Sequence, residues 1–263
     1  MDIIGFIGVY DKTDLLLNIA KILTKMQKKV LIVDTTLEQK TKYVVPAINP
    51  TASYITNFED FDVAIGFDSL EQIKKYFGIQ EGLQYDIILV NADSVEAIES
   101  FDLINSKKNF FVTGFDLYSL KRGLEIFSEI KQPIVMTKIL FSTDMQSSEN
   151  EYLNYLASNY KITWNELEIV MSVEIENMTA FMENQKAQKI RFSNLTTQYK
   201  ECLIFIVQEM LQQSSDSAIR KIVKMILKEE RKNGYNYIFK RRRKTNRKNN
   251  VNTCHCYIYG NGT

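Results

Sequence analysis

The sequence predicts an α/β protein with a doubly wound, mostly parallel sheet flanked by helices on both faces. Short apolar runs alternate with segments of helical periodicity through most of the chain. The apolar runs are continuous rather than alternating, which is typical of strands that are covered on both faces. With 263 residues, 45% hydrophobic and 25% charged, the chain is long enough to bury one good-sized core.

The predicted strands share an uninterrupted apolar stretch and cover residues 3–9, 29–34, 61–67, 85–91, 109–113, 133–140 and 167–172. The predicted helices share a 3.6-residue period, several begin at an Asp or Ser cap, and they cover residues 14–27, 69–77, 94–105, 116–130, 148–159, 177–189 and 195–213. Right-handed crossovers place the carboxyl ends of parallel strands at one edge, where ligands bind. We therefore expect four segments to share that edge: Val9–Thr13, Asp34–Thr36, Asn91–Asp93 and Thr113–Asp116.

The net charge of +1 conceals a strong asymmetry along the chain. Residues 214–263 contain 13 Lys and Arg against 3 Asp and Glu, whereas residues 1–213 contain 20 against 29. Nucleic acid is not expected as a partner of this acidic body, because non-specific affinity comes from cations that neutralise phosphates. The single histidine, His255, lies in the basic part, so the body has no Ser-His, Cys-His or His-metal arrangement. No apolar run approaches the ~18–20 residues of a membrane span, there is no signal-peptide pattern, and we expect a cytoplasmic location.

The basic part divides at Arg231. Residues 214–230 are predicted to form a basic amphipathic helix, with isoleucines and a valine on one face. Three roles stay open for it: packing on its own domain, docking to a partner, or contact of residues 219–228 with an anionic membrane. Residues 231–263 lose this periodicity and are expected to be disordered. Their Lys, Arg and Asn bias is typical of an AT-rich message read out of frame, so a frameshift artefact is a hypothesis that the gene sequence can test.

The turn after the first strand lies where a phosphate-binding loop would be expected, with Lys12-Thr13 before a helix. Such a loop directs backbone N–H groups at the anion and needs glycine where φ is positive or the phosphates come close. No glycine occurs between Gly8 and Gly66. Asp11 also adds a carboxylate, and like charges ~4 Å apart repel by about 4 kcal/mol at an effective dielectric of ~20. The loop has the position of a nucleotide site without its usual chemistry.

In their order along residues 1–213, these motifs resemble the ParA/MinD group of P-loop ATPases, which position plasmids, division sites, flagella and secretion or pilus machinery. Lys12-Thr13-Asp14 precedes Asn18-Ile19-Ala20 at the spacing of that family's Walker A loop and helix. Ile32-Val33-Asp34-Thr35-Thr36 matches the end of its second strand, and the stretch that ends at Asn91 resembles its Walker B strand. The resemblance implies a P-loop NTPase-like, three-layer fold.

The resemblance also implies a site and cofactors, ATP and Mg²⁺. The implied nucleotide-binding residues are Gly8, Asp11, Lys12, Thr13, Asp14 and Thr137, and the implied metal ligands are Thr13, Asp34 and Asn91. The departures from the family's pattern affect the residues that would carry out the chemistry. The loop glycines and the first loop lysine have no counterpart, and Thr36 stands where the family has the carboxylate that orients water. Asn91 replaces the Walker B aspartate and Thr137 the base-contacting asparagine, so efficient hydrolysis is not expected.

Simpler interpretations of the same residues stay open. Asp11 or Thr13 could cap the next helix, with Lys12 a solvated first-turn residue. Asp34 could face the metal site or only end a buried strand. Asn91, like Asp93, could serve to close a strand or cap a helix.

Three functions are compatible with these observations. The first is a degenerate ParA/MinD-like scaffold that positions or assembles pilus, secretion or partition machinery, binds a protein partner or forms a homodimer, and hydrolyses ATP weakly or not at all. The second is an active ATP-binding ATPase that cycles on membrane or DNA. The third is a binding module whose basic tail holds anionic lipid or nucleic acid. Under the membrane-binding alternatives, the cytoplasmic protein would be peripheral at the inner face of the membrane.

Overall fold

The computed structural model describes residues 1–47, 51–143, 147–212 and 215–246, except for the side chains of 147–148 and 233–246. Its strands are β1 (Asp2–Ile7), β2 (Val30–Asp34), β3 (Tyr54–Phe58), β4 (Phe61–Ile65), β5 (Ile87–Ala92), β6 (Lys108–Gly114), β7 (Ile134–Ser142) and β8 (Ile162–Ser172). Its α-helices are α1 (Thr13–Lys25), α2 (Thr41–Val44), α3 (Leu70–Phe77), α4 (Val95–Ser100), α5 (Leu117–Glu125), α6 (Ser147–Ala157), α7 (Ile175–Ala187), α8 (Thr197–Leu211) and α9 (Asp216–Asn246).

The strands form one eight-stranded sheet in the order β3-β4-β2-β5-β1-β6-β7-β8. Every pair is parallel except β3 with β4, which form an antiparallel hairpin. The predicted doubly wound, mostly parallel sheet is therefore confirmed. The order reverses direction at β1, so the loop after β1 opens at the switch point where α/β sheets bind ligands.

Two apolar cores lie on the two faces of the sheet, because consecutive strand residues point to opposite sides. Along β2, for example, Val30 and Ile32 belong to the core that holds α1, α8 and α9, whereas Leu31 and Val33 belong to the core that holds α3, α4 and α5. This arrangement explains why the strand sequences are continuously apolar. It gives three layers: helices, sheet, helices.

Several helices begin at a side-chain cap that the sequence predicts. Ser69, Ser94 and Asp116 each accept a hydrogen bond from a backbone N–H in the first turn, of α3, α4 and α5 respectively. These caps satisfy backbone donors that have no partner within the helix. They fix where each helix starts relative to the strand before it.

Helix α9 holds the basic amphipathic segment for which the sequence leaves three roles open. Ile219, Val223 and Ile226 are buried in the same core as α1 and α8, so this helix packs on its own domain and its apolar face is not free to enter a membrane. The helix continues to Asn246, and the disorder expected from residue 231 onward stays a prediction. Residues 247–263 lie outside the described part. No described helix is both long and apolar enough to cross a bilayer.

Candidate functional site

A cleft of about 340 Å³ opens at the carboxyl edge of the sheet, beside the loop between β1 and α1. Three of the four segments expected at this edge contribute to it, together with α5 and the chain after β2. Its lining comprises Gly8, Val9, Tyr10, Asp11, Lys12, Thr13, Thr36, Leu37, Glu38, Lys40, Asn91, Asp93, Ser94, Tyr118 and Arg122. Gly8, Asp11, Lys12, Thr13 and Asn91 thus come together as the sequence predicts.

Gly8 sets the course of the loop. Its φ of +136° lies in a backbone region that L-residues rarely adopt. A Cβ on Gly8 would also lie 2.3 Å from the carbonyl oxygen of Val112 on β6. The glycine is therefore required for the close approach of the loop to the neighbouring strand.

Lys12 is turned into the loop rather than toward the cleft's solvent. Its side chain is 2% exposed, and its Nζ donates hydrogen bonds to the carbonyl oxygens of Gly8 and, at 3.2 Å, Tyr10. Burial lowers the pKa of Lys12 to about 8, although nearby carboxylates, with Asp93 first among them, act to raise it. The interpretation of Lys12 as a solvated residue is wrong. Two loop carbonyls point at this lysine, and carbonyl oxygens repel a phosphate.

Asp11 precedes Lys12, the N-cap residue of helix α1, and its carboxylate serves as a cap by accepting the first N–H of the helix. Its Oδ1 accepts a hydrogen bond from the backbone N–H of Thr13 at 3.0 Å. This N–H belongs to the helix N-terminus, where a phosphate would bind in a nucleotide site. The outer carboxylate oxygen of Asp11 lies 3.5 Å from the Nζ of Lys40, which also pairs with Glu38 at 3.4 Å. The protein's own carboxylate therefore takes a position that an anionic ligand would need.

Asp34 is fully buried at the end of β2, and both of its oxygens are engaged. Oδ1 accepts hydrogen bonds from the backbone N–H and the hydroxyl of Thr36, at 3.2 and 2.6 Å, and from Nδ2 of Asn91 at 3.3 Å. Oδ2 accepts from the backbone N–H of Thr41 at 3.1 Å. Of the two interpretations of Asp34, this geometry is that of the polar end of a buried strand. Its carboxylate closes the turn into α2.

These residues do not fit a magnesium site. Mg²⁺ is usually held by one or two carboxylates, and the carboxylate of Asp34 is bound by four donors of the protein. Asn91 offers an amide oxygen, Oδ1, which is buried and has no hydrogen-bond partner, but the amide is neutral. Within the described residues, no group of three His, Cys, Asp or Glu side chains could hold a metal ion.

Asp14 and Asp93 flank the loop on two sides. Asp93 accepts the backbone N–H of Leu37 at 3.1 Å, and burial raises its pKa. Asp14 lines a second cavity of about 230 Å³ and accepts a hydrogen bond from Nε2 of Gln185 at 2.8 Å. Burial raises the pKa of Asp14 to about 6. Because an ionised carboxylate repels a phosphate, neither Asp14 nor Asp93 is suited to cradle one.

Thr137 does not belong to the cleft, and this corrects the expectation that it contacts a base. Strand β7 continues to Ser142, so Thr137 lies within the strand, where it pairs with Phe110 of β6. Its hydroxyl is buried and accepts a hydrogen bond from Nδ2 of Asn165 at 2.7 Å. The resemblance misplaced this residue, since Thr137 lies inside the strand that the sequence itself predicts for residues 133–140.

Among the lining residues, sequence reasoning gave no role to Tyr10, Lys40 or Arg122, although it expected Tyr10 at this edge within Val9–Thr13. Tyr10 also lines the second cavity, and its ring stacks on Phe141 with centroids 4.6 Å apart. An aromatic residue in a turn otherwise filled by small and polar residues is the one signal that pointed to it. Lys40 and Arg122 come from a loop and a helix that have no recognisable motif.

Solved structures show the same fold. At 15% identity and a TM-score of 0.50, 78% of this chain aligns with 98% of a ParA family ATPase from Chlorobium tepidum. At 14% identity and a TM-score of 0.52, 82% aligns with 98% of the cell division protein MinD from Aquifex aeolicus. An ATP complex of McdA from Cyanothece aligns over 82% of this chain and 98% of its own, at 12% identity and a TM-score of 0.52.

This chain has the ParA/MinD-type fold. The resemblance drawn from the order of its motifs is thereby confirmed for the architecture. No protein-family model matches the chain, and no curated protein matches its sequence. At such low identity the likeness extends to the fold alone. The chemistry of the cleft has to be argued from this chain's own residues.

Proposed function

We propose that this chain is a degenerate ParA/MinD-like protein that acts as a positioning or assembly scaffold, for example of pilus, secretion or partition machinery, with weak or no ATP hydrolysis. The fold supports the first half of this proposal, since its solved neighbours include partition and cell division proteins. The side chains of Asp11 and Lys12, which fill the loop, support the second half, which is weak or absent ATP hydrolysis.

The hydrogen bond from Thr13 to Asp11 is the observation that carries the proposal. It places a carboxylate at the N-terminus of α1, so a bound phosphate would have to displace the cap and face its charge. Lys12 would also have to leave two carbonyl partners before it could grip an anion. Each of these steps opposes nucleotide binding.

The cations around the cleft do not reverse this balance. Lys40 is paired with Asp11 and Glu38, and Arg122 lies 3.7 Å from Glu125. Lys40 and Arg122 are thus already paired with carboxylates, and Lys12 is held by two backbone carbonyls. Such a site has no excess positive charge for a triphosphate.

Without a metal carboxylate at position 91, or one at position 36 to orient water, the chain also lacks the groups that phosphoryl transfer requires. A scaffold of this kind would act through a protein partner or a second copy of itself. MinD from Aquifex aeolicus was also solved as a complex with MinC, and a partnership of that general type is what we propose for this chain. We place this activity in the cytoplasm, with no role for the acidic body in nucleic-acid binding.

An active ATPase is the competing candidate, and two observations favour it. Neighbours of the same fold were solved with ATP or AMPPNP, and Asn91, whose amide oxygen has no hydrogen-bond partner, lines the cleft. On this alternative, Lys12 and Thr13 would swing onto a nucleotide and the chain would cycle on membrane or DNA. ATP and Mg²⁺ would then be cofactors.

Steady-state ATP turnover by the full chain distinguishes the two candidates. We expect turnover with Mg-ATP to be no higher than that of the Lys12→Ala variant. Lys221→Ala, at an exposed lysine of α9, is the matched control for loss of a lysine. Turnover that Lys12→Ala abolishes and Lys221→Ala preserves would establish the ATPase instead.

A further inference from the structure

A separate apolar pocket of about 390 Å³ lies at the amino edge of the sheet, opposite the cleft. Its floor consists of Val30, Phe61 and Leu83, which are buried. Its outer wall is the end of α3 and the residues after it, where Phe77 is 43% and Ile79 36% exposed. A volume above ~300 Å³ with a mostly apolar lining is within the range of binding sites.

Another side of this pocket, formed by Tyr85 and Asp62, is held in place by hydrogen bonds. The hydroxyl of Tyr85 donates to Oδ2 of Asp62 at 2.8 Å, and Nδ2 of Asn57 donates to Oδ1 of the same carboxylate at 2.9 Å. These hydrogen bonds hold the ring of Tyr85 at the side of the pocket. A ring already held in position lowers the entropic cost of binding at that side of the pocket.

The charges at the pocket come from Asp60, Asp62 and Lys29. Asp60 is in the turn between β3 and β4, and its φ of +72° holds it in the left-handed region. Its neighbour Glu59 pairs with Lys21 and accepts the backbone N–H of Ile190. In the part of the chain that the structure describes, no group donates a hydrogen bond to the carboxylate of Asp60. Because Asp62 already accepts hydrogen bonds from Tyr85 and Asn57, the carboxylate of Asp60 is the group that favours a ligand with positive charge.

Apolar surface continues beyond the pocket. Tyr76 is 50% exposed, and its ring packs against those of Phe67 and Phe77, with centroids 5.3 and 5.8 Å apart. A small molecule confined to the pocket would leave this aromatic surface in water, whereas an extended segment would cover it. Interfaces of proteins characteristically place one aromatic anchor in such a pocket and surround it with weaker contacts.

We propose that this pocket docks a peptide segment of a partner protein, with an aromatic side chain in the pocket and an adjacent Lys or Arg beside Asp60. The site is independent of the cleft at the carboxyl edge, because it lies at the other edge of the sheet and shares no lining residue with that cleft. Docking here therefore does not require ATP. It would leave the carboxyl edge free for other contacts.

Titration of the full chain with two short peptides tests the proposal by saturation-transfer NMR. The probes are acetyl-Trp-Lys-amide and acetyl-Trp-Glu-amide. We expect the Lys peptide to bind about 1.4- to 5-fold more tightly, which is the range of an exposed charge pair. Asp60→Asn should remove that preference.

A matched pair of variants locates the binding. Ile79→Lys places a charge in the pocket wall and should weaken the Lys peptide about tenfold or more, whereas Ile175→Lys, at an exposed isoleucine of α7, should leave it unchanged. The proposal is overturned if neither peptide binds saturably, if the Glu peptide binds more tightly, or if both variants bind alike. Tryptamine that binds as tightly as the Lys peptide would show a site for small amines and would also overturn it.

Discussion

Substitution of Lys12 by Met probes whether a charged group is really held inside the loop. Because burial lowers the pKa of Lys12 from 10.5 to about 8 in the folded chain, the unfolded chain binds more protons than the folded chain between those pH values. Stability must therefore rise with pH in this window, since the derivative of the unfolding free energy follows the proton excess of the unfolded state. The cost of the buried charge is full below pH 8 and relieved toward pH 10.5.

The magnitude follows from the size of the shift. One pKa unit corresponds to about 1.4 kcal/mol, so the shift of Lys12 amounts to ~3 kcal/mol. The quantity to measure is the unfolding free energy of the wild type minus that of Lys12→Met, from urea denaturation at pH 7 to 10.5. Taking the difference cancels the titration of tyrosines and other lysines. Met removes the charge and keeps a side chain of similar length.

We expect this difference to increase by about 3 kcal/mol across the window. Lys221→Met, at an exposed position of α9, should give a difference from the wild type that does not change with pH. A flat profile for Lys12→Met would mean that Lys12 is solvated. The description of the loop as closed by its own lysine would then be refuted.

Three further predictions concern the loop and the last helix. Asp14→Asn should stabilise the fold at pH 7 by up to ~3 kcal/mol, because a folded pKa of about 6 means that stability falls as pH rises from 3.8 to 6. Chemical denaturation at pH 4 and 7 checks this prediction, and an equal effect of the substitution at both pH values would contradict it. Asp11→Ala should lower the unfolding free energy by about 1 kcal/mol through loss of the cap on α1. Thermal unfolding measures this, and Asp68→Ala, at an exposed aspartate, is the control. An unchanged melting temperature of Asp11→Ala would argue against the cap. Ile226→Ala should cost ~2–5 kcal/mol because this side chain is buried in the main core, whereas a freely projecting α9 would give a negligible change in urea denaturation.

The sequence predicted the architecture because the strands of a doubly wound sheet have a strong local signature. β1, β2 and β5 are continuous apolar runs, and Ser69, Ser94 and Asp116 mark the helices that follow strands. The hairpin strand β3 was missed, since Tyr54–Phe58 is short, partly polar and lies at the sheet edge. The first half of β8 was missed for the same reason, because an edge strand tolerates polar residues such as Asn165 and Glu166.

The site was predictable in its location and much less so in its geometry. The carboxyl edge of a parallel sheet collects Lys12, Thr13 and Asn91 whatever their chemistry, so topology alone brings them together. The direction of Lys12 could not be predicted, because it depends on which loop carbonyls point inward. The placement of Thr137 failed because it rested on the resemblance alone, although the strand predicted at 133–140 already enclosed this residue.

Binding of Mg-ATP to the full chain tests the central claim, which is that Asp11 and Lys12 occupy the phosphate position of the loop. Thermal unfolding with and without Mg-ATP measures this directly, since a ligand at 100 times its Kd would add about 2.7 kcal/mol of stability. We predict no shift of the melting temperature at millimolar Mg-ATP. A saturable increase that Lys12→Ala removes would contradict the claim.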